Sequence, residues 1–168
     1  KGREYLECVA RKGASLKDIS LDDCVWKDRP LLMCNKVYDL KLSYTGISVK
    51  EKLQQVRDFM KKKEVSVHMI SSLDDIAWLF NLRGSDIPYN PVFYSYAVIT
   101  MDSAEIYLNI EALEKETKEK LEGEGITIRE YGIFYDSVKE RMKNERILIN
   151  EQKNSYKLYC ILKESNDL

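Results

Sequence analysis

The 168-residue sequence predicts an α/β fold, a mixed sheet flanked by helices, and three observations predict it. Strand-like and helix-like segments alternate along most of the chain, the pattern of a sheet covered by helices. Two β-rich runs, Phe93 to Thr100 and Glu105 to Asn109, are joined by only Met101-Asp102-Ser103-Ala104, which makes an antiparallel hairpin and so a mixed rather than parallel sheet. With 44% hydrophobic residues, the chain is long enough to bury a full core.

Taken in order, Tyr5, Leu6, Val9 and Ala10 recur at helical spacing ahead of Gly13, a short amphipathic helix with a glycine stop. Residues 14–35 lose periodicity and read as a connector. Val37 to Leu42 alternates as a strand does. After Thr45-Gly46, Ser48 and Glu51 have capping-box spacing, and a helix follows to about Lys63 with Leu53, Val56, Phe59 and Met60 on its apolar face. Lys61 to Lys63 complement the negative end of its dipole.

Val65 to Ile70 is a buried strand. Ser71 or Ser72 caps a second helix, Leu73 to Phe80, with Asp74 and Asp75 in the favourable first turn. Beyond the hairpin come a helix over Glu111 to Glu122 stopped by Gly123 and Gly125, a strand at Ile126 to Arg129, a helix near Ser137 to Lys143, a strand at Arg146 to Ile149 and a last helix near Ser155 to Leu162.

Much chemistry is excluded by composition. The 27 Lys and Arg nearly balance the 28 Asp and Glu, so no basic field exists to hold nucleic acid by counterion release. No apolar run approaches the roughly 20 residues that span a bilayer, so no membrane partner is expected. The single histidine, His68, lies in an apolar strand and reads as a packed residue; one imidazole builds neither a catalytic triad nor a two-histidine zinc site.

Seven glycines make no phosphate-binding loop. Cys8, Cys24, Cys34 and Cys160 never form a C-x-x-C pair; free thiols in a cytoplasmic protein fit best, with a Cys24–Cys34 disulfide as the alternative. Asp22-Asp23 and Asp74-Asp75 read as a turn and a helix start. The Lys61-Lys62-Lys63 and Glu114 to Lys120 charges read as solvated helix faces.

One stretch differs from ordinary scaffold. A tight apolar helix feeds straight into Asn81 to Tyr96, a loop dense in Asn, Arg, Asp, Tyr and Pro; Gly84 supplies backbone freedom while Pro88 and Pro91 limit loop entropy. Asn81, Arg83, Asp86, Asn90, Tyr94 and Tyr96 are the candidates for lining a substrate cleft or an interdomain surface. Arg83 is expected to clamp Asp86, with an outward role toward a carboxylate as the alternative.

The run LDDIAWLFNLRGSDIPYNPVFYSY, residues 73–96, closely resembles the second domain of the eukaryotic-type Xaa-Pro aminopeptidases, of the creatinase and prolidase superfamily. Val25-Trp26-Lys27-Asp28-Arg29-Pro30 resembles the family's connector, and Tyr44-Thr45-Gly46-Ile47-Ser48 with Lys50-Glu51-Lys52 and Val56-Arg57 its first helix entry. The likeness is closest over residues 25–110; later the order of elements agrees better than the residues do.

The resemblance implies a creatinase N-terminal-domain-like fold over 36–168, with 1–13 as the end of a preceding domain, and a chain that is a fragment. It also implies a parent enzyme that removes the residue preceding proline, whose pita-bread domain holds two divalent metal ions, manganese in the family's usual form, on two Asp, one His and two Glu. None of those ligand positions falls in this sequence, so no catalytic or metal residue carries over and no cofactor is expected here. The implied partners are neighbouring domains, a proline-containing peptide substrate of the parent, and a second copy of the parent in a homodimer. A creatinase-like binding module without peptidase activity is the alternative reading.

Overall fold

A computed structural model describes residues 8–14, 25–30, 32 and 34–168. The chain divides into two units, Lys1–Met33 and Cys34–Leu168. In the first, residues 8–11 are helical and Gly13 has a φ of 69°, the left-handed angle expected of a helix stop. Tyr5 and Leu6, expected on that helix, lie outside the described residues, as does Cys24. Cys8, Cys34 and Cys160 are free thiols.

The second unit carries β1 (Tyr38–Asp39), α1 (Leu42–Thr45), α2 (Val49–Lys62), β2 (Val67–Ile70), α3 (Leu73–Leu79), β3 (Leu82–Arg83), β4 (Ser95–Thr100), β5 (Ala104–Leu108), α4 (Lys115–Gly123), β6 (Ile126–Glu130), α5 (Phe134–Arg141), β7 (Ile147–Leu148) and α6 (Tyr156–Lys163). Five strands form a sheet in the order β6-β5-β4-β2-β7, and β1 pairs with β3 in a separate antiparallel ribbon. The expected hairpin is present, with Ser95 opposite Leu108 and Ile99 opposite Ala104. β5–β6 and β2–β7 are parallel and β2–β4 antiparallel, so the sheet is mixed.

Alternation along the strands makes two cores. Ala97, Ile99, Ala104, Ile106 and Leu108 face Val49, Leu53 and Met60 of α2, Ile76 and Leu79 of α3, and Leu121 of α4. Val67, Met69, Val98 and Tyr107 face Phe134 and Val138 of α5 and Leu158 and Leu162 of α6. The architecture is therefore helix, sheet, helix. Among the described residues no helix is long and apolar enough to cross a membrane.

Local signals act as expected at α2. Ser48 Oγ accepts the Glu51 amide at 3.2 Å and Glu51 Oε2 accepts the Ser48 amide at 2.9 Å, a complete capping box. Four expectations need correction. The strand from Val37 to Leu42 shrinks to Tyr38–Asp39, because Leu42 already starts a helical turn that Gly46, at φ 70°, terminates.

Ser72 occupies the N-cap position just before α3 without its hydroxyl capping the helix. The helix expected over 111–122 is divided into a 3₁₀ turn, Ile110–Ala112, and α4, since the Asn109 side chain accepts the Glu111 amide and starts the chain into that separate turn. The helix near 137–143 begins earlier, at Phe134, and ends at Arg141.

Among the described residues Glu105 is the one buried acid. It is 5% exposed on β5, and it accepts hydrogen bonds from Arg141 Nη1 at 2.8 Å, Arg129 Nε at 3.0 Å and the Tyr107 hydroxyl at 2.9 Å. Burial alone would raise its pKa, but these donors outweigh burial and hold it down to about 2.

His68 lies inside the sheet, half-buried on β2, with Nδ1 3.0 Å from the Leu148 carbonyl of β7. A carbonyl only accepts, so Nδ1 carries the proton.

Candidate functional site

The stretch singled out in the sequence separates into three neighbourhoods. The first is a polar knot under the carboxyl end of α3. Phe80 ends the helix, and Asn81 takes a left-handed φ of 54°, which an asparagine tolerates better than most residues. That angle turns the Asn81 side chain inward, where it is 3% exposed.

Asn81 Oδ1 accepts from Lys52 Nζ at 2.5 Å, and its Nδ2 donates to the Ile47 carbonyl at 3.0 Å. Lys52, 1% exposed, also donates to the Trp78 carbonyl at 2.7 Å and lies 4.4 Å from the centre of the Trp78 ring. Burial lowers its pKa, and the nearby Arg83 charge adds to that effect.

Lys52 did not stand out among the sequence candidates, although a signal was available. It falls three residues after Val49 and four before Val56, on the face that α2 buries, where a charge needs an internal partner.

The second neighbourhood is the loop itself, and the expected Arg83–Asp86 clamp is not what forms. Arg83 Nη1 donates to the carbonyls of Ala77 at 2.9 Å and Leu82 at 2.8 Å, closing the free end of α3. Asp86 uses one oxygen for the Asn35 amide and the other for the Tyr94 amide, each at 2.9 Å. Each side chain thus satisfies orphan backbone groups nearer than the other.

Asn90 turns back on Ile87 through its amide at 3.2 Å and reaches Asp74 Oδ1 at 3.4 Å. Gly84 is required by space: a Cβ there would stand 2.7 Å from Phe93 Cβ. Tyr89 is fully exposed at a left-handed φ of 63°.

The third neighbourhood is aromatic. Tyr96 stacks on Phe134 at 4.0 Å between ring centres and on Tyr131 at 5.1 Å, while Tyr94 is tilted against Tyr131 at 6.4 Å. The Tyr96 hydroxyl lies 3.4 Å from those of Tyr131 and Tyr135. Burial raises its pKa above the usual tyrosine value, with the two neighbouring hydroxyls adding to the effect.

Of the six candidates, the structure therefore brings Asn81 and Arg83 to the end of α3, Asp86 and Asn90 into the loop fold, and Tyr94 and Tyr96 against Tyr131.

Large apolar side chains are exposed on α3 and on the 40–47 segment. Trp78 is 46% exposed, Tyr44 77% and Leu42 56%. Leu42 and Tyr44 sit on the segment that Asn81 holds through the Leu40 amide and the Ile47 carbonyl, so the buried knot fixes the base on which they stand. Among the described residues no three His, Cys, Asp or Glu side chains converge to hold a metal ion, so these residues do not fit a dinuclear centre.

The sequence profile of the Creatinase/Prolidase N-terminal domain family matches residues 28–168. The chain belongs to that family. Relatives of this creatinase/prolidase N-terminal domain are much longer than it is. A protein of Chaetomium globosum named Probable Xaa-Pro aminopeptidase P is 44% identical over 130 residues, 76% of this chain and 21% of the relative. One of Ajellomyces dermatitidis with the same name is 40% identical over 142 residues, 83% of this chain and 23% of the relative.

Among solved structures, the X-prolyl aminopeptidase of Caenorhabditis elegans, described as a cytosolic enzyme with a di-nuclear active site, superposes with a TM-score of 0.86 at 27% identity. The superposition covers 98% of this chain and 28% of the nematode one. This creatinase/prolidase N-terminal domain thus spans about a fifth to a quarter of the curated relatives it matches.

Proposed function

We propose that this creatinase/prolidase N-terminal domain is a non-catalytic part of an Xaa-Pro aminopeptidase, where it shapes substrate access and packs against neighbouring domains. In that reading the parent removes the N-terminal residue preceding proline, using a metal-activated water held by two divalent ions, manganese by family habit, in a domain outside these residues. The family match over 28–168, with relatives of whose length the alignments cover 21% and 23%, is the observation that carries it. A cytoplasmic location is supported by the cytosolic nematode enzyme. Homodimerisation of the parent belongs to the same reading.

What this chain contributes is rigidity and a surface. Lys52, Asn81 and Arg83 tie α2, α3 and the 40–47 segment together. They present Trp78, Tyr44 and Leu42 as the apolar face suited to a neighbouring domain. Tyr89 and the Asp86–Tyr94 turn form the second candidate wall of the cleft. Domain limits of 1–13, 14–35 and 36–168 complete the proposal.

The test is made in the parent enzyme. Tyr44→Ala and Leu42→Ala are expected to lower the parent's melting temperature and to change KM or kcat for an Xaa-Pro peptide, while leaving the 168-residue chain as stable as before. If parent and chain both stay unchanged in stability and the parent in kinetics, this face has no such role.

A further inference from the structure

The tip of the 81–96 loop breaks a local rule. Ile87-Pro88-Tyr89-Asn90 is a tight turn closed by the Asn90 amide, which donates to the Ile87 carbonyl at 3.2 Å. Proline in the second place and a φ of 63° in the third make it a type II turn, whose third place ordinarily takes glycine or asparagine. Here it holds a tyrosine. The other non-glycine residues at positive φ among the described residues have ordinary reasons: Asn81 and Asn144 are asparagines, and Glu64 lies just past the end of α2.

The Tyr89 ring is fully exposed, so no packing within the chain compensates the left-handed angle. The turn is also held against relaxing. Asp86 accepts the Asn35 and Tyr94 amides at 2.9 Å each, the Asp86 amide donates to the Val92 carbonyl at 3.1 Å, and the Gly84 amide donates to the Pro91 carbonyl at 3.3 Å. Pro88 and Pro91 fix their own backbone angles. A strained residue kept in place by stiff surroundings is a mark of a recognition site.

The chemistry of the tip narrows the partner. Pro88 and Pro91 are exposed beside Tyr89, and no charged residue falls between Asp86 and Asp102 in a chain that is 33% charged. The tip is thus a neutral apolar knob. A tyrosine on a stiff turn loses little entropy when it is covered and buries a large area, the properties of an interface anchor. A ring open on all sides is enclosed only by a concave surface, which a folded domain supplies and an extended peptide does not.

We propose that Tyr89 is an interdomain anchor, its ring entering an uncharged apolar pocket on a neighbouring domain of the parent, and that the left-handed turn is kept for this contact. The proposal rests on the proposed function, in which the chain is one domain of a longer enzyme whose relatives it covers over 21% and 23% of their length. It names the contact that fixes the Asp86–Tyr94 turn in place.

Tyr89→Gly, made in the parent and in the 168-residue chain and followed by calorimetry, separates the two roles of the residue. Glycine accepts the left-handed angle freely and removes the ring. The chain's melting temperature is expected to rise by about 2 °C as strain is relieved, and the parent's to fall by about 2 °C as the anchor is lost. Tyr89→Phe keeps the ring and is expected to leave the parent's melting temperature where it was. A parent that gains stability from Tyr89→Gly as the chain does, with or without a change in KM, would overturn the proposal, and so would an equal fall with Tyr89→Phe. Concentration-dependent melting of the chain that Tyr89→Gly abolishes would assign the ring to a second copy and also overturn it. The Leu42 and Tyr44 variants report on domain packing independently, so a loss of stability there with none at Tyr89 rejects the anchor alone.

Discussion

Lys52 Nζ and Asn81 Oδ1 meet at 2.5 Å although both residues are almost wholly removed from solvent and lie 29 positions apart. The pair joins the first turn of α2 to the end of α3, and the strand β3 leaves from that junction. Removing one partner leaves a buried polar group of the other uncompensated. Asn81→Ala is therefore expected to destabilise the chain by roughly 3 kcal/mol, combining a lost buried amide with the cost of a left-handed alanine. Asn81→Gly keeps the backbone angle and is expected to cost less. Urea unfolding of both variants checks the order.

Glu105 gives the chain a titratable stability in acid. Its folded pKa of about 2 lies below the ordinary carboxylate value, so its contribution is complete above pH 4.5 and disappears as pH falls toward 2. Glu105→Gln is expected to lower stability at neutral pH on the order of 3 kcal/mol, leaving Arg141 and Arg129 without their acid. The gap between wild type and variant should close between pH 4.5 and 2 in denaturant titrations. A gap that is constant with pH contradicts the assignment.

His68 works over a different range. Burial lowers its pKa despite the opposing effects of the Leu148 carbonyl and Asp75, so the fold prefers the neutral ring. Its stabilising contribution is present above about pH 6.5 and is lost as pH falls through the folded value. An NMR titration is expected to place the His68 midpoint below 6.5. A midpoint above it would mean that Asp75 controls the ring.

Gly84 has no room for a side chain. A methyl group there would stand 2.7 Å from Phe93 Cβ and 3.2 Å from the Val92 carbonyl, neither of which is a flexible end. Gly84→Ala is expected to cost about 2 kcal/mol by overpacking, read as a fall in melting temperature. Asp86→Ala should instead loosen the loop, seen as faster hydrogen exchange at the Tyr94 amide that Asp86 now holds.

What could be read from residues alone was what short-range chemistry determines. The Ser48–Glu51 capping box and the Phe93 to Asn109 hairpin depend on neighbours within a few positions, and both form as expected. The ribbon of β1 with β3 was hidden, because Tyr38 and Arg83 meet across 45 residues and each strand is only two residues long. Arg83 and Asp86 look like an ion pair in sequence. The Ala77 carbonyl and the Asn35 amide, one at the end of a helix and the other 51 residues upstream, compete for them and win. Lys52 was detectable as a charge on an apolar helix face, but its partners Trp78 and Asn81 were not.

The most direct measurement is hydrolysis of an Xaa-Pro peptide with added manganese by the 168-residue chain and, in parallel, by its full-length parent. The account predicts turnover by the parent and none by the chain. Cleavage by the purified chain with metal bound in stoichiometric amount, or an inactive parent that nonetheless binds two metal ions, would contradict it.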